Sequence, residues 1–291
     1  MIEDVIKKFN YDDNLASFLR KLYPYLIEYF KTTNKDIVDM ALMSCPIVLG
    51  CNSFDLLKKL DMLDNDGLVQ DDDLKRSSGV YSSKPVINYI DGEFVVSDIK
   101  RVIGISFGDI NSEYAQDTLI HELCHLIKSS YQEYLFDRDI LIQKNGLIEI
   151  YYQLTYENGI VKKTFIKEVG VGFEEGLNTL AEEWLVKQVI RPDFKISGYQ
   201  TIAQLAQNVL VNQQVVDELL NAQLYKKRAS LNGYYDEFVQ IVDVIYKKYL
   251  EMFASIFDQE KFDKLNEEIR NLIISQYHPL LDKILSAKKE L

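Results

Sequence analysis

Two of the three histidines in this 291-residue chain stand four residues apart in the segment DTLIHELCHLI, residues 117–127, which constrains the fold more than any other segment. Successive residues of an α-helix are turned by about 100°, so His121 and His125 would lie within about 40° of each other. Apolar residues occupy the remaining arc: Ile120, Leu123, Leu126 and Ile127. The pattern predicts a helix with an apolar back and a histidine edge.

The residues around this segment predict where the helix begins and what precedes it. Asn111 or Ser112 can cap its first turn, which contains an acidic residue, and a lysine in its last turn also suits the helix dipole. The preceding residues, RVIGISFG, are typical of a strand. The sequence therefore predicts a strand followed by a ligand-bearing helix.

His121, Glu122 and His125 form a His-Glu-x-x-His pattern, which indicates metal chemistry. Both imidazoles can reach one metal ion, while Glu122, about 100° round the helix from His121, can face the same cleft without binding it. There it could take a proton from a water molecule whose pKa zinc has lowered. Chance would produce the pattern on the order of once per several hundred chains of this composition, so a zinc site is favoured over two histidines of an ordinary amphipathic helix.

A catalytic zinc (Zn2+) site takes three protein ligands and keeps a fourth position open. The remaining histidine, His278, lies in the C-terminal region, so a carboxylate is the natural third ligand. The segment GFEEGLNTLAEEW, residues 172–184, offers Glu174 and Glu175 at the start of a predicted helix. One face of that helix carries Glu175, Asn178, Thr179 and Glu182. A solvated acidic face is the alternative interpretation.

HELCH at 121–125, followed by a helix that contains EEGLNTLAEE, resembles the gluzincin metallopeptidases, over about residues 100–195. The resemblance implies zinc bound by His121, His125 and Glu175, with Glu174 as the fallback, and peptide-bond hydrolysis with Glu122 as the general base. The interval between His125 and the third ligand is longer than in thermolysin-like enzymes. The Gly-x-Met-Glu-Asn sequence of the related aminopeptidases is absent, so their specificity is not implied.

The resemblance also suggests supporting roles, each with a purely structural alternative. Gluzincins place a tyrosine or histidine near the transition-state oxyanion, and the candidates here are His278, Tyr234 and Tyr235. Asn178 or Thr179 could orient a ligand. Cys124 is expected to be a buried small side chain rather than a ligand. An extended peptide commonly pairs with an edge strand in such enzymes, and RVIGISF, residues 101–107, is predicted to be that edge.

The rest of the chain predicts an α+β fold. Residues 1 to about 75, including IVDMALMSCPIVLG, read as helical, as do a stretch near 131–143 and the chain from about 200. Asp91-Gly92 and Asn158-Gly159 predict hairpin turns, the second within a long hairpin at 148–169. We expect a zincin-like core at 81–195, with a small, mainly antiparallel sheet on the HELCH helix, flanked by helical regions at 1–80 and 196–291.

The composition of the chain indicates which classes of partner and which cellular compartment to expect. A net charge of −12 repels polyanions, so nucleic acid is not expected. Three sparse cysteines, an acidic N-terminus and the lack of an apolar run of about 18 residues favour free thiols and a soluble cytoplasmic protein without a membrane span. A peptide or protein is the expected substrate, and the sequence does not indicate an oligomeric state. The alternatives are a zincin-like binding or regulatory module without catalysis, which Glu122 disfavours, and a zinc hydrolase acting on other substrates.

Overall fold

The computed structural model describes residues 1–30, 36–63, 77–129, 132–194, 199–210, 218–219 and 230–286. The fold is α+β with two small sheets. One compact unit consists of Met1–Asn145, Ile150–Lys167 and Ala181–Lys195, and the other of Gly146–Glu149, Glu168–Leu180 and Ile196–Leu291. Within the described ranges, no helix has the length and hydropathy that crossing a membrane would require.

The N-terminal helices are α1 (Ile2–Phe9), α2 (Asp13–Tyr29), α3 (Asp36–Ser44) and α4 (Ser53–Lys59). The prediction of helix through residue 50 is wrong, because Ile47–Leu49 forms strand β1. Pro46 explains the change: it disfavours helical backbone at Cys45, and the residues after it are β-prone. The acidic segment DNDGLVQDDDLKRSSG, residues 64–79, is typical of a loop or subdomain boundary, but residues 64–76 lie outside the described part of the chain.

The first sheet contains β1, β2 (Gly79–Ile90) and β3 (Glu93–Ile105) in the order β1-β3-β2. The predicted hairpin is confirmed, since Asp91 and Gly92 join β2 to β3 with φ of 53° and 90°. RVIGISFG is not a separate third strand, because residues 101–105 continue β3. Nor is it an edge: β1 pairs with β3 in parallel and β2 pairs with it antiparallel, which leaves β1 and β2 as the edges among the described strands.

The predicted histidine helix is confirmed as α5 (Glu113–Lys128). Ser112 caps it, since its hydroxyl oxygen accepts a hydrogen bond from the Ala115 N–H at 3.1 Å. The predicted apolar back, formed by Ile120, Leu123, Leu126 and Ile127, is fully buried. Cys124 is buried too, and all three cysteines are free thiols, as expected. Because α5 packs on β2 and β3, this packing sets which way the helix edge with His121 and His125 faces relative to the first sheet.

The second sheet contains β4 (Glu133–Asp137), β5 (Ile140–Asn145), β6 (Ile148–Glu157) and β7 (Ile160–Val169), in that order. The predicted helix near 131–143 is therefore wrong. Leu141 and Gln143 are buried with a period of two, and the turn is made by Arg138 at φ 56°, without a glycine that would have signalled it. The Asn158-Gly159 hairpin is confirmed, with φ of 53° and 82°.

Helix α6 (Val171–Val189) is continuous and carries both candidate glutamates. It is followed by α7 (Gln200–Gln207), α8 (Tyr235–Ala254), α9 (Gln259–Leu272) and α10 (His278–Ser286). As predicted, the aromatic and aliphatic stripes of this region are helical core; Phe173, Phe238 and Tyr277 are among its fully buried side chains.

Asp243 on α8 holds the beginning of α6, because its carboxylate accepts the backbone N–H groups of Gly170 at 2.6 Å and Gly172 at 2.8 Å. Burial raises the pKa of this carboxyl group. We expect Asp243→Ala to lower the free energy of unfolding by about 1–3 kcal/mol, because it leaves two N–H groups unpaired at a helix start. Urea unfolding measures the effect. Asp243→Asn keeps one acceptor and should lose less; equal stability of the alanine variant and the parent would contradict the capping role.

Candidate metal centre

His121 and His125 extend from successive turns of α5 towards a common point. Their Nε2 atoms lie 3.2 Å apart, and their rings are inclined at 75°. Two nitrogens bound tetrahedrally to one zinc, at about 2.0–2.1 Å each, are separated by about 3.3–3.4 Å. The two imidazoles therefore already have nearly the spacing that a shared zinc ion requires.

Glu175 on α6 completes a group of three possible ligands. One ligand atom each from His121, His125 and Glu175 can be chosen so that all three lie within 4.8 Å of one another, and each residue is half-buried. Two imidazole nitrogens and a carboxylate oxygen are a ligand set that zinc accepts. The residues present therefore fit a zinc ion.

Glu174, the alternative third ligand, has a different environment. Its side chain is buried, and its carboxylate accepts the Leu147 N–H at 3.1 Å. The turn before β6 lies directly against it, since a Cβ at Gly146 would be 3.0 Å from Glu174 Oε2. Glu174 thus supports this turn, and of the two glutamates that the sequence left open the geometry favours Glu175.

Glu182 orients His121 from the side opposite the ligand atom. Its Oε2 lies 2.6 Å from His121 Nδ1, so this nitrogen donates its hydrogen to the carboxylate and Nε2 remains for a metal. The sequence had pointed to Asn178 or Thr179 for this role, but the Thr179 hydroxyl donates to the Glu175 carbonyl oxygen at 2.8 Å. The sequence feature that could have identified Glu182 is the helical face that it shares with Glu175.

Asp117 lies one turn before His121 on α5, and no sequence pattern indicated that it is a site residue. Its carboxyl group is hydrogen-bonded to that of Glu182. Burial, followed by the charge and the hydrogen bond of Glu182, raises the pKa of Asp117 to about 8. Its Oδ1 atom is buried without a hydrogen-bond partner. A carboxyl group in this environment favours its neutral form.

Glu122, the predicted base, is only 8% exposed and is not one of the three grouped ligands. It lies beside the first residue of β2: a Cβ at Gly79 would be 3.0 Å from Glu122 Oε1 and 2.5 Å from Thr118 Cγ2. Only glycine leaves room for the strand to approach the helix this closely. The beginning of β2 therefore borders Glu122.

Two tyrosines that no sequence pattern indicated, Tyr199 and Tyr246, belong to the surroundings of Glu175. Burial raises the pKa of Tyr246, and the charge of Glu175 and a hydrogen bond with Tyr199 raise it further. The rings of the two tyrosines are 5.7 Å apart. The phenol group of Tyr246 is therefore close enough to Glu175 for the carboxylate charge to raise its pKa.

The tyrosine and histidine candidates proposed from the sequence have other surroundings. Tyr235 is a buried member of the helical core, and Tyr234 packs against that core. The Lys283 ammonium lies 5.9 Å from the centre of the Tyr234 ring. His278 is exposed at the beginning of α10. A role of any of these three residues near the oxyanion stays a prediction.

Comparison of the chain with protein-family models, with curated proteins and with solved structures finds no match.

Proposed function

We propose that this protein is a zinc-dependent metallopeptidase with a zincin-like core. The observation that carries the proposal is the 3.2 Å separation of the His121 and His125 Nε2 atoms, with a Glu175 carboxylate oxygen in the same group. Three protein ligands leave one position for water or substrate. A zinc ion held there would lower the pKa of water to about 7 and polarise the peptide carbonyl.

Glu122 is the proposed general base. It would take a proton from the water that attacks the carbonyl carbon and pass it to the amide nitrogen as the carbon–nitrogen bond breaks. Its carboxylate is largely buried against Gly79, which restricts its motion. A binding module without catalysis would have no need of a base at this position, so Glu122 favours an enzyme.

The substrate is proposed to pair with β2, the described edge strand beside Glu122. The Ser106 N–H donates to the Ser78 carbonyl, and the antiparallel register then directs the N–H and C=O groups of Gly79, Tyr81 and Ser83 away from β3. Pro85, which has no N–H, has the same outward register, where a ladder hydrogen bond is not lost. An extended peptide could hydrogen-bond to this edge.

Ser83→Pro tests this placement, because it removes one outward N–H from the edge. We expect KM for a cleaved peptide to rise about 3- to 10-fold, the effect of one net hydrogen bond, with kcat less affected. Ser83→Ala is the matched control, since it removes the hydroxyl bond with Gln132 but keeps the N–H. The same KM in the proline variant and in the parent would place the substrate elsewhere.

The hydroxyl groups of Tyr199 and Tyr246 are proposed to stabilise the charge that develops on the carbonyl oxygen. Tyr246→Phe should lower kcat about 100-fold while zinc content stays at the parent's level. Tyr249→Phe, on the same helix and with its own hydrogen bond to Thr201, should leave kcat unchanged. Loss of zinc from Tyr246→Phe would instead show that this tyrosine supports Glu175.

A peptide library tests the function as a whole. The protein is incubated with the library as purified, after chelation, and after chelation followed by added zinc, and the new termini are identified by mass spectrometry. Cleavage that disappears on chelation and returns with zinc is the expected result. A zinc-loaded protein that cleaves no peptide in the library, while it hydrolyses esters or other bonds, would overturn the peptidase proposal.

A further inference from the structure

We infer that Asp117 is a positioning residue, which donates a hydrogen bond to Glu182 and thereby holds Glu182 on His121. The three side chains form a continuous series, with Asp117 and His121 one turn apart on α5 and Glu182 facing them from α6. The inference rests on the proposed metal site, because its consequence is the orientation of a ligand. Asp117 thereby becomes the third member of a series in which Glu182 holds the ligand His121.

A count of hydrogens supports this direction of the bonds. A His121 ring that uses Nε2 for a metal has its hydrogen on Nδ1, and the 2.6 Å distance to Glu182 makes Glu182 the acceptor. Glu182 is also in hydrogen-bond contact with Asp117. Two carboxyl groups can bond only through a hydrogen that one of them carries. Glu182 accepts from His121 with Oε2, which leaves its other oxygen as an acceptor, and we assign the shared hydrogen to Asp117.

The neighbouring charges fit a neutral Asp117. The charge of Arg191 acts on Asp117, but the Arg191 Nη1 atom lies 3.4 Å from Glu113, in a pair whose side chains are 48% and 60% exposed. The Oδ1 atom of Asp117 is buried without a hydrogen-bond partner. Burying such an atom costs far less on a neutral acid than on a carboxylate. Asp117 therefore acts on Glu182 as a donor rather than as a second negative charge.

Substitution of Asp117 separates a hydrogen-bond donor from a charge. Asp117→Asn keeps the shape and supplies an N–H to Glu182, so its zinc affinity should stay within about threefold of the parent's. Asp117→Leu keeps the branching at Cγ without a donor and should bind zinc about 10-fold more weakly, the lower end of the effect of lost outer partners. Competition with a chromophoric chelator measures both affinities on the full-length protein.

Two further variants test whether Asp117 acts through Glu182. Glu113→Gln changes an exposed acid on the same helix, beside the same Arg191, and should bind zinc like the parent. Adding Asp117→Leu to Glu182→Gln should cause no further loss, because the residue through which Asp117 acts has already changed. The cobalt(II) absorption spectrum should shift in Asp117→Leu and remain that of the parent in Asp117→Asn. Additive losses in the double variant would overturn the inference.

The outcomes separate this inference from the proposed function. A parent protein that binds no zinc removes the metal site itself. A parent that binds zinc, with asparagine and leucine variants of equal affinity to it, leaves the peptidase proposal standing and overturns the role of Asp117. An asparagine variant as weak as the leucine variant shows that a charge is needed, which also overturns it. If Asp117→Leu does not fold, Asp117→Ala replaces it in every comparison.

Discussion

Protein purified without added metal is expected to contain close to one zinc ion per chain, and Glu175→Ala is expected to lose most of it. Glu175 is the one carboxylate in the group with His121 and His125. Without it two imidazoles remain, which is fewer than the three protein ligands of catalytic zinc sites. The loss of affinity should exceed the roughly 100-fold that marks the upper end for outer partners.

Elemental analysis of parent and variant, purified side by side, measures this difference. Glu174→Gln is a closely matched control, because it changes the adjacent glutamate, whose carboxylate accepts the Leu147 N–H. This variant should keep its zinc even if it is less stable. Equal zinc in Glu175→Ala and the parent would remove Glu175 from the site. A parent without zinc after reconstitution would make the histidine pair a feature of helix packing alone.

The parts of the fold that the sequence predicts well are those determined by nearby residues. The bounds of α5 follow from its cap, its periodicity and its terminal charges, all within about 20 residues. Both Asx-Gly hairpins depend on two residues that adopt positive φ. Strand β1 could not be predicted in this way, because what makes Ile47–Leu49 a strand is its pairing with Ile103–Ile105, more than 50 residues away.

The candidate site shows the same division. Helical spacing alone brings His121 and His125 together, and the helix that begins near Glu174 and Glu175 could be predicted from its own residues. The contacts of Asp117 and Glu182 depend instead on how α5 and α6 are rotated about their axes, which neither segment specifies by itself. The choice between the two glutamates likewise needed the hydrogen bond of Leu147.

Glu122→Gln is expected to keep its zinc and to lower kcat by about 10²- to 10⁴-fold, the range attributed to a positioned general base. Glutamine has nearly the same size and shape as glutamate, so the buried contact with Gly79 should persist. Its amide cannot take up the proton of the attacking water. Because Glu122 is outside the group of His121, His125 and Glu175, metal binding should be unaffected.

The kcat of Glu122→Gln and its zinc content have to be measured on the same preparation, with Glu113→Gln as the control. Glu113 is an exposed acid on the same helix, so its variant controls for the loss of one negative charge. Each result then has a single meaning. Retained turnover in the zinc-loaded variant would show that another group accepts the proton, whereas loss of zinc would make Glu122 a ligand. Zinc retained without turnover assigns to Glu122 the proton transfer that separates a peptidase from a metal-binding module.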